Sequence, residues 1–187
     1  MIIRMVEQKD YKNIWNIYRQ YIETPITFEH KMPTPEEFET RLESIIQNYA
    51  CIVCEVDDEI LGYAYAHRFA ERAGYNWTAE LSVYTDSKAK GLGGGRQLYE
   101  KLLELCKLQG IHTVYGLVTE NNSASENLHE KLGFRLAGVF RNVGFKEGRW
   151  LSCSYYEKDL ASYNDKPNPM KSISDIKKDD IKELLSK

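Results

Sequence analysis

A chain of 187 residues can hold one domain with a sizeable core, and 42% hydrophobic against 28% charged residues describes a soluble globular protein. A net charge of −3 without a basic block offers no electrostatic footprint for nucleic acid, and no apolar run reaches the length of a membrane span or a secretory leader. Among the four cysteines only Cys51-x-x-Cys54 has the spacing of half a metal site or a redox pair; with no second such pair, no metal site is expected, and a cytoplasmic protein with reduced thiols follows.

Residues 2–6 read as a first strand. Residues 9–22 read as a helix with Ile14, Ile17, Tyr18, Tyr21 and Ile22 on one side, stopped by Pro25. Residues 24–31 form a loop carrying an exposed-looking Phe28, which on pattern alone is more readily a loop hydrophobe tucked into the core than a substrate contact. Thr34-Pro35-Glu36-Glu37 starts a second helix: Thr34 caps it, Pro35 takes the first helical position and Glu37 completes a capping box. Residues 50–56 and 60–68 are two strands joined by Asp57-Asp58-Glu59 as a hairpin. In such a strand Cys51 and Cys54 point to opposite faces, so both are expected to be core residues. Residues 70–76 are a polar loop, and 77–84 the next strand.

A glycine-rich stretch follows, Gly91-Leu92-Gly93-Gly94-Gly95-Arg96, and then a helix over 97–109 with Leu98, Leu102, Leu105 and Leu108 on one face. Strand, glycine loop and helix N-terminus together aim several backbone N–H groups outward where the helix dipole favours negative charge, so a phosphate or pyrophosphate is the expected guest. No Lys-Ser or Lys-Thr follows the glycines as a Walker A loop requires, and Leu98 stands where a dinucleotide fingerprint needs its third glycine. A glycine-rich turn without a ligand remains the alternative on this stretch alone. Residues 113–118 read as a strand, and 124–132 as a short helix capped from Asn121-Asn122-Ser123 and ended by Gly133. Residues 135–145 and 150–160 make a final antiparallel pair. Residues 164–169 read as a linker. Ile173, Ile176, Ile181, Leu184 and Leu185 can form a small amphipathic helix, which could pack on the domain, meet a partner or stay loose.

Lys90-Gly91-Leu92-Gly93-Gly94-Gly95 is similar to the [QR]-x-x-G-x-[GA] pyrophosphate loop of the GCN5-related N-acetyltransferases, with Lys90 at the Gln/Arg position. Asn122 with the segment Ser123 to Phe134 resembles the second signature of that family. Tyr21 to His30, Tyr75 to Tyr84, Ser125 to Phe134 and Val143 to Trp150 resemble its phosphinothricin and methionine-sulfone acetyltransferase branch. The likeness spans roughly residues 2–160, giving a domain over 1–160 and, over 161–187, a linker and tail of unknown role.

The resemblance implies an α/β fold, a central mixed and mostly antiparallel sheet flanked by helices, and acetyl-CoA as cosubstrate. It implies a general base at Glu80 and a second proton-transfer group at His129; a solvent-facing strand glutamate and a helix-face histidine without a role are their bland alternatives. The other histidines, His30, His67 and His112, match no motif. Main-chain groups at Val83, Tyr84 and Thr85 are expected at the thioester and pantetheine, as are Asn122 and Ser125. The amides of Gly91, Leu92, Gly93, Gly94, Gly95 and Arg96, with Lys90, are expected at the pyrophosphate. Phe28, Arg72, Tyr75, Thr78 and Phe145 fall at the branch's acceptor positions, some supplied by a second subunit, since the branch is commonly a homodimer. The expected reaction is direct acetyl transfer to the primary amine of a small amino acid or analogue, such as phosphinothricin or methionine sulfone or sulfoximine. A polyamine, an antibiotic amine, a protein N-terminus, or a non-catalytic acyl-CoA sensor are the rival readings.

Overall fold

A computed structural model describes residues 1–89, 91–163 and 166–187. Its strands are β1 (Ile2–Met5), β2 (Cys51–Val56), β3 (Glu59–Arg68), β4 (Thr78–Thr85), β5 (Thr113–Thr119), β6 (Arg135–Lys146) and β7 (Arg149–Asp159). Its helices are α1 (Tyr11–Arg19), α2 (Pro35–Ile46), α3 (Gly94–Gln109), α4 (Ser123–Lys131) and α5 (Lys178–Ser186). The seven strands form one sheet in the order β1-β2-β3-β4-β5-β7-β6. Every neighbouring pair is antiparallel except β4 and β5, which run parallel because α3 carries the chain back between them. The expected mixed, mostly antiparallel sheet flanked by helices is the fold observed.

Two cores cover the two faces. Ile14, Ile17 and Tyr18 of α1 and Phe38 and Leu42 of α2 pack on Cys51, Val53 and Tyr63. Leu98, Leu102 and Leu105 of α3 pack on Ile52, Cys54, Ala64, Ala79, Leu81 and Val114. The Cys-x-x-Cys pair is therefore split between opposite faces, as period-two alternation requires, and all four thiols are free and buried.

Local signals held where they were strong. Thr34 accepts the Glu37 N–H at 3.2 Å and the Glu37 carboxylate accepts the Thr34 N–H at 2.8 Å, so the capping box opens α2 with Pro35 at its first position. Asp57 and Asp58 turn the β2–β3 hairpin with φ of +50° and +62°, a conformation Asp tolerates. The first helix is shorter than its apolar pattern predicts: a 3-10 turn over Gln8–Asp10 leads into α1, which stops at Arg19 and gives way to turns. The tail packs on the domain. Ile173, Ile176 and Ile181 are buried in the core under α3, and the Ile173 N–H donates to the Asn48 carbonyl at 3.0 Å. Lys101 Nζ donates to the Leu184 carbonyl at 2.9 Å, near the end of α5.

Candidate active site

The sheet is not continuous at its parallel junction. β4 pairs with β3 as far as Thr85 opposite Gly62, but pairs with β5 only from Thr78 opposite Thr113 to Leu81 opposite Gly116. Beyond that point β5 follows β7, up to Thr119 opposite Cys153. The last residues of β4 thus have a neighbour on one side only. Successive N–H groups of a strand point to opposite sides. The Asp86 N–H donates to Leu61 at 2.9 Å, toward β3, so those of Tyr84 and Ser82 also face β3, and those of Val83 and Thr85 face the gap. The Tyr21 hydroxyl meets Thr85 there, 3.1 Å from its N–H and 2.6 Å from its carbonyl. Val83 is the residue whose amide faces the gap behind it.

The glycine loop stands at the end of the same strand. Gly93 caps α3 with φ of +79°, in the left-handed region that a side chain resists. The first-turn amides of Gly94, Gly95 and Arg96 have no partner within the helix. Gly95 lies against Thr85, where a Cβ would come within 3.3 Å of the threonine methyl. The helix N-terminus is therefore fixed at the gap, with its amides open to an anion. Leu92 is exposed, its N–H bound to the Ala89 carbonyl at 3.1 Å, and Arg96 is held by Glu100 at 2.8 Å. Lys90 lies outside the described residues.

Glu80 and His129 flank the gap on opposite faces of the sheet. Ala79 and Leu81 belong to the core under α3, so Glu80 between them points to the other face. It is partly exposed, with Oε1 3.3 Å from His67 Nε2. His129 is buried on the α3 side, against Gly116, where an added Cβ would fall 2.0 Å from its Nε2. Its Nδ1 lies 2.8 Å from the Ser125 carbonyl and so carries the hydrogen, which leaves Nε2 to accept from the Tyr99 hydroxyl at 2.7 Å. Burial lowers its pKa, against the opposing effect of the Ser125 carbonyl, and favours the neutral ring. Ser125 Oγ is 3.5 Å from the same Nδ1. Asn122 caps α4, its side-chain oxygen accepting the Ser125 N–H at 3.3 Å.

The five expected acceptor residues do not converge. Thr78 shares the Glu80 face by alternation. Phe28 is half-buried, tucked inward as its pattern alone suggested, with its ring lying over Gly144 of β6. Gly144 and Lys146 point to that loop, so Phe145 between them points to the other face, where it packs on Trp150 at 5.4 Å between ring centroids. Tyr75 rests on Phe69 at 5.8 Å, and Arg72 is exposed at the start of the 3-10 turn Ala73–Tyr75.

The segment from Tyr21 to Phe28 crosses the mouth of the gap as a strap. Tyr21 ties it to Thr85 of β4, and Thr119 of β5 donates to the Ile26 carbonyl at 3.4 Å. Lys146 of β6, buried, donates to the carbonyls of Ile22 at 2.7 Å and Thr27 at 2.6 Å. Sequence reading missed these anchors, together with Tyr99 and His67. Each acts through a partner distant in the chain, and no local pattern announces it.

The chain compares closely with known proteins. The acetyltransferase (GNAT) domain family matches residues 3–153. A phosphinothricin N-acetyltransferase of Streptomyces viridochromogenes is 32% identical over 93% of this chain and 95% of its own. A methionine sulfoximine/methionine sulfone acetyltransferase of Pseudomonas aeruginosa is 34% identical over 79% of each chain. The crystal structure of a phosphinothricin acetyltransferase from Sinorhizobium meliloti in complex with acetyl-CoA superposes with a TM-score of 0.85 at 30% identity, covering 89% of this chain and 92% of that one. The chain belongs to the GNAT acetyltransferase family, and it is an N-acetyltransferase that uses acetyl-CoA.

Proposed function

We propose that the acceptor is the primary amine of a small amino acid or amino-acid analogue, of the phosphinothricin or methionine sulfone and sulfoximine type. The observation that carries this is the gap between β4 and β5, with Glu80 on one flank, the glycine-loop amides at its end and the Tyr21–Phe28 strap across its mouth. The names of the relatives above support the acceptor class. Acetyl-CoA supplies an acetyl group already activated as a thioester. The first-turn amides of α3 hold its pyrophosphate, and the Val83 N–H serves the thioester carbonyl as a hydrogen-bond donor where negative charge develops.

An alkylammonium must lose a proton before it can attack. Glu80 takes that proton, directly or through one water. His129 works on the opposite face, holding the Tyr99 hydroxyl beside Gly116, and we assign this pair to the side of the leaving thiolate. Thr78 stands on the acceptor side with Glu80, and we assign Phe28, Arg72 and Tyr75, which do not converge on it within one copy, to the acceptor with a second copy in place. The polypeptide works as a homodimer: Leu136, Val139, Phe140, Val143, Phe145 and Trp150 all stand exposed on the β6–β7 hairpin, a concentration of apolar surface that a second copy would cover. Phe145 then serves its partner's site or the interface, and the four free thiols favour the cytoplasm.

The test is release of coenzyme A thiol over a panel of amines. Phosphinothricin and methionine sulfone should turn over best; polyamines or peptides turning over while these stay silent would overturn the acceptor class. Glu80→Gln should lower kcat/KM about 10²- to 10⁴-fold at neutral pH. A Trp150→Glu variant that sediments like the wild type would refute the proposed interface.

A further inference from the structure

On the face that carries Glu80, one register line crosses the sheet. His67 of β3 lies opposite Glu80 of β4, and Glu80 opposite Tyr115 of β5. Tyr115 lies opposite Glu157 of β7, and Glu157 opposite Arg135 of β6. Residues paired across strands share a face, so these five side chains stand in one row. The contacts agree: the Tyr115 hydroxyl donates to Glu157 Oε2 at 3.0 Å, and Arg135 Nε to Glu157 Oε1 at 2.9 Å.

The row treats its two carboxylates differently. Glu157 has a cation and a hydroxyl on it. Glu80, among the described residues, has His67 alone, with Nε2 3.3 Å from Oε1. The orientation of His67 is itself fixed. Its Nδ1 lies 3.1 Å from the Arg68 carbonyl, and its ring leans on Tyr65 at 5.8 Å between centroids. Its side chain is only 32% exposed, and that of Glu80 21%. The Arg68 carbonyl at Nδ1 and the Tyr65 ring hold the imidazole in place, with Nε2 turned to the carboxylate. Among the described residues no other cationic side chain stands on the glutamate.

We propose that His67 is the positioning residue for Glu80. Its Nε2 stands beside Oε1 at 3.3 Å, a charge-pair distance without hydrogen-bond alignment, and leaves Oε2 as the oxygen that takes the proton from the acceptor amine. The inference rests on Glu80 as the base. The proton on the substrate ammonium moves to Oε2 as the amine nitrogen becomes free to attack. His67 exchanges no proton in this step, and the carboxyl returns its new proton to solvent once the amide product has left. His67 touches neither substrate nor thioester and acts only through the glutamate.

Four enzymes decide it: wild type, His67→Ala, Glu80→Gln and the double variant, with His67→Gln as the rescue. Steady-state kinetics with a reactive amine and calorimetric binding of coenzyme A are measured on each. His67→Ala should lower kcat roughly ten- to hundredfold through misplacement of the base. Its affinity for coenzyme A should stay within about twofold of wild type, since the row lies away from the α3 amides. His67→Gln, whose side-chain amide can reach the place of Nε2 beside Oε1, should regain most of the rate. In the Glu80→Gln background His67→Ala should change nothing further, because residues that act as a unit are not additive. A His67→Ala enzyme with wild-type kcat beside an impaired Glu80→Gln would overturn the positioning role alone, as would an equal His67→Ala loss in both backgrounds. A fully active Glu80→Gln would overturn the base reading and this inference with it.

Discussion

The tightest packing around the gap is at Gly116, and it sets a sharp expectation for Gly116→Ala. The new methyl would lie 2.0 Å from His129 Nε2, 2.7 Å from its Cδ2 and 2.7 Å from the Tyr99 hydroxyl. Non-bonded carbon contacts settle near about 3.5 Å, so the imidazole must withdraw by roughly 1.5 Å. It has nowhere to go cheaply. Phe134 packs on it at 5.0 Å, Tyr156 at 5.3 Å and Tyr99 at 5.1 Å between ring centroids. Overpacking of this kind costs about 1–3 kcal/mol. The withdrawal also breaks the 2.7 Å bond between the Tyr99 hydroxyl and Nε2. Both atoms are buried, and an abandoned polar group there costs about 1–3 kcal/mol.

The sum is roughly 2–6 kcal/mol, a large share of the 5–15 kcal/mol typical of a domain. Tyr99→Phe is the control: it removes the same hydrogen bond and leaves the space, so it should cost about 1–2 kcal/mol. Guanidinium unfolding of the three proteins gives both differences. The reasoning fails if Gly116→Ala unfolds within experimental error of wild type, or costs less than Tyr99→Phe.

Three further expectations follow from the same structure. His129 is buried with its pKa lowered, so the unfolded chain binds its proton more readily than the folded one. Stability should therefore decline as pH falls below the unfolded value of about 6.5, and His129→Gln should flatten that part of the curve; an unaltered slope would count against a neutral buried ring. Gly93→Val places a β-branched side chain at φ of +79°, a strain of about 1–3 kcal/mol; acetyl-CoA binding measured by calorimetry should weaken at least about tenfold as the capping amides shift. Ile173→Ala and Ile181→Ala should each cost about 2–4 kcal/mol in urea unfolding, and wild-type midpoints in both would show that residues beyond 160 are no part of the core.

The elements were legible where a local rule decides them. Thr34, Pro35 and Glu37 announce a helix start because the capping atoms lie within one turn of each other. Cys51 and Cys54 could be assigned to opposite faces because alternation needs no knowledge of the neighbouring strand. The glycine loop and helix dipole likewise act within a short segment. Residues 9–22 misled because apolar spacing continues to Ile22, whereas the chain must leave the helix after Arg19 for Tyr21 to reach Thr85. The tail was undecidable for a related reason: its isoleucines find α3 and β1, and nothing in the tail names them.

What resisted reading was partnership across the sheet. Phe28 and Phe145 both fall at expected acceptor positions, and within one copy of the chain they stand on opposite faces of β6. The register of β6 against β7 slips between Leu136 and Gly138 and again between Phe140 and Gly144, and each slip changes which residues face inward. The His67–Glu80 contact is equally silent in the chain, being a matter of which residue of β3 falls opposite β4. The same reasoning bears on the proposed site. β4 resembles any amphipathic strand in its own residues; what suits it to the proposed reaction is that from Ser82 onward it has β3 paired on one side and, among the described residues, no paired strand on the other. An open Val83 amide, a helix N-terminus at Thr85 and a carboxylate one turn of the pleat away come together only because β5 leaves after Gly116. Side chains on β4 can be exchanged one at a time with graded losses, but a substitution that drew β5 back alongside Val83 would close the site while leaving every named side chain in place.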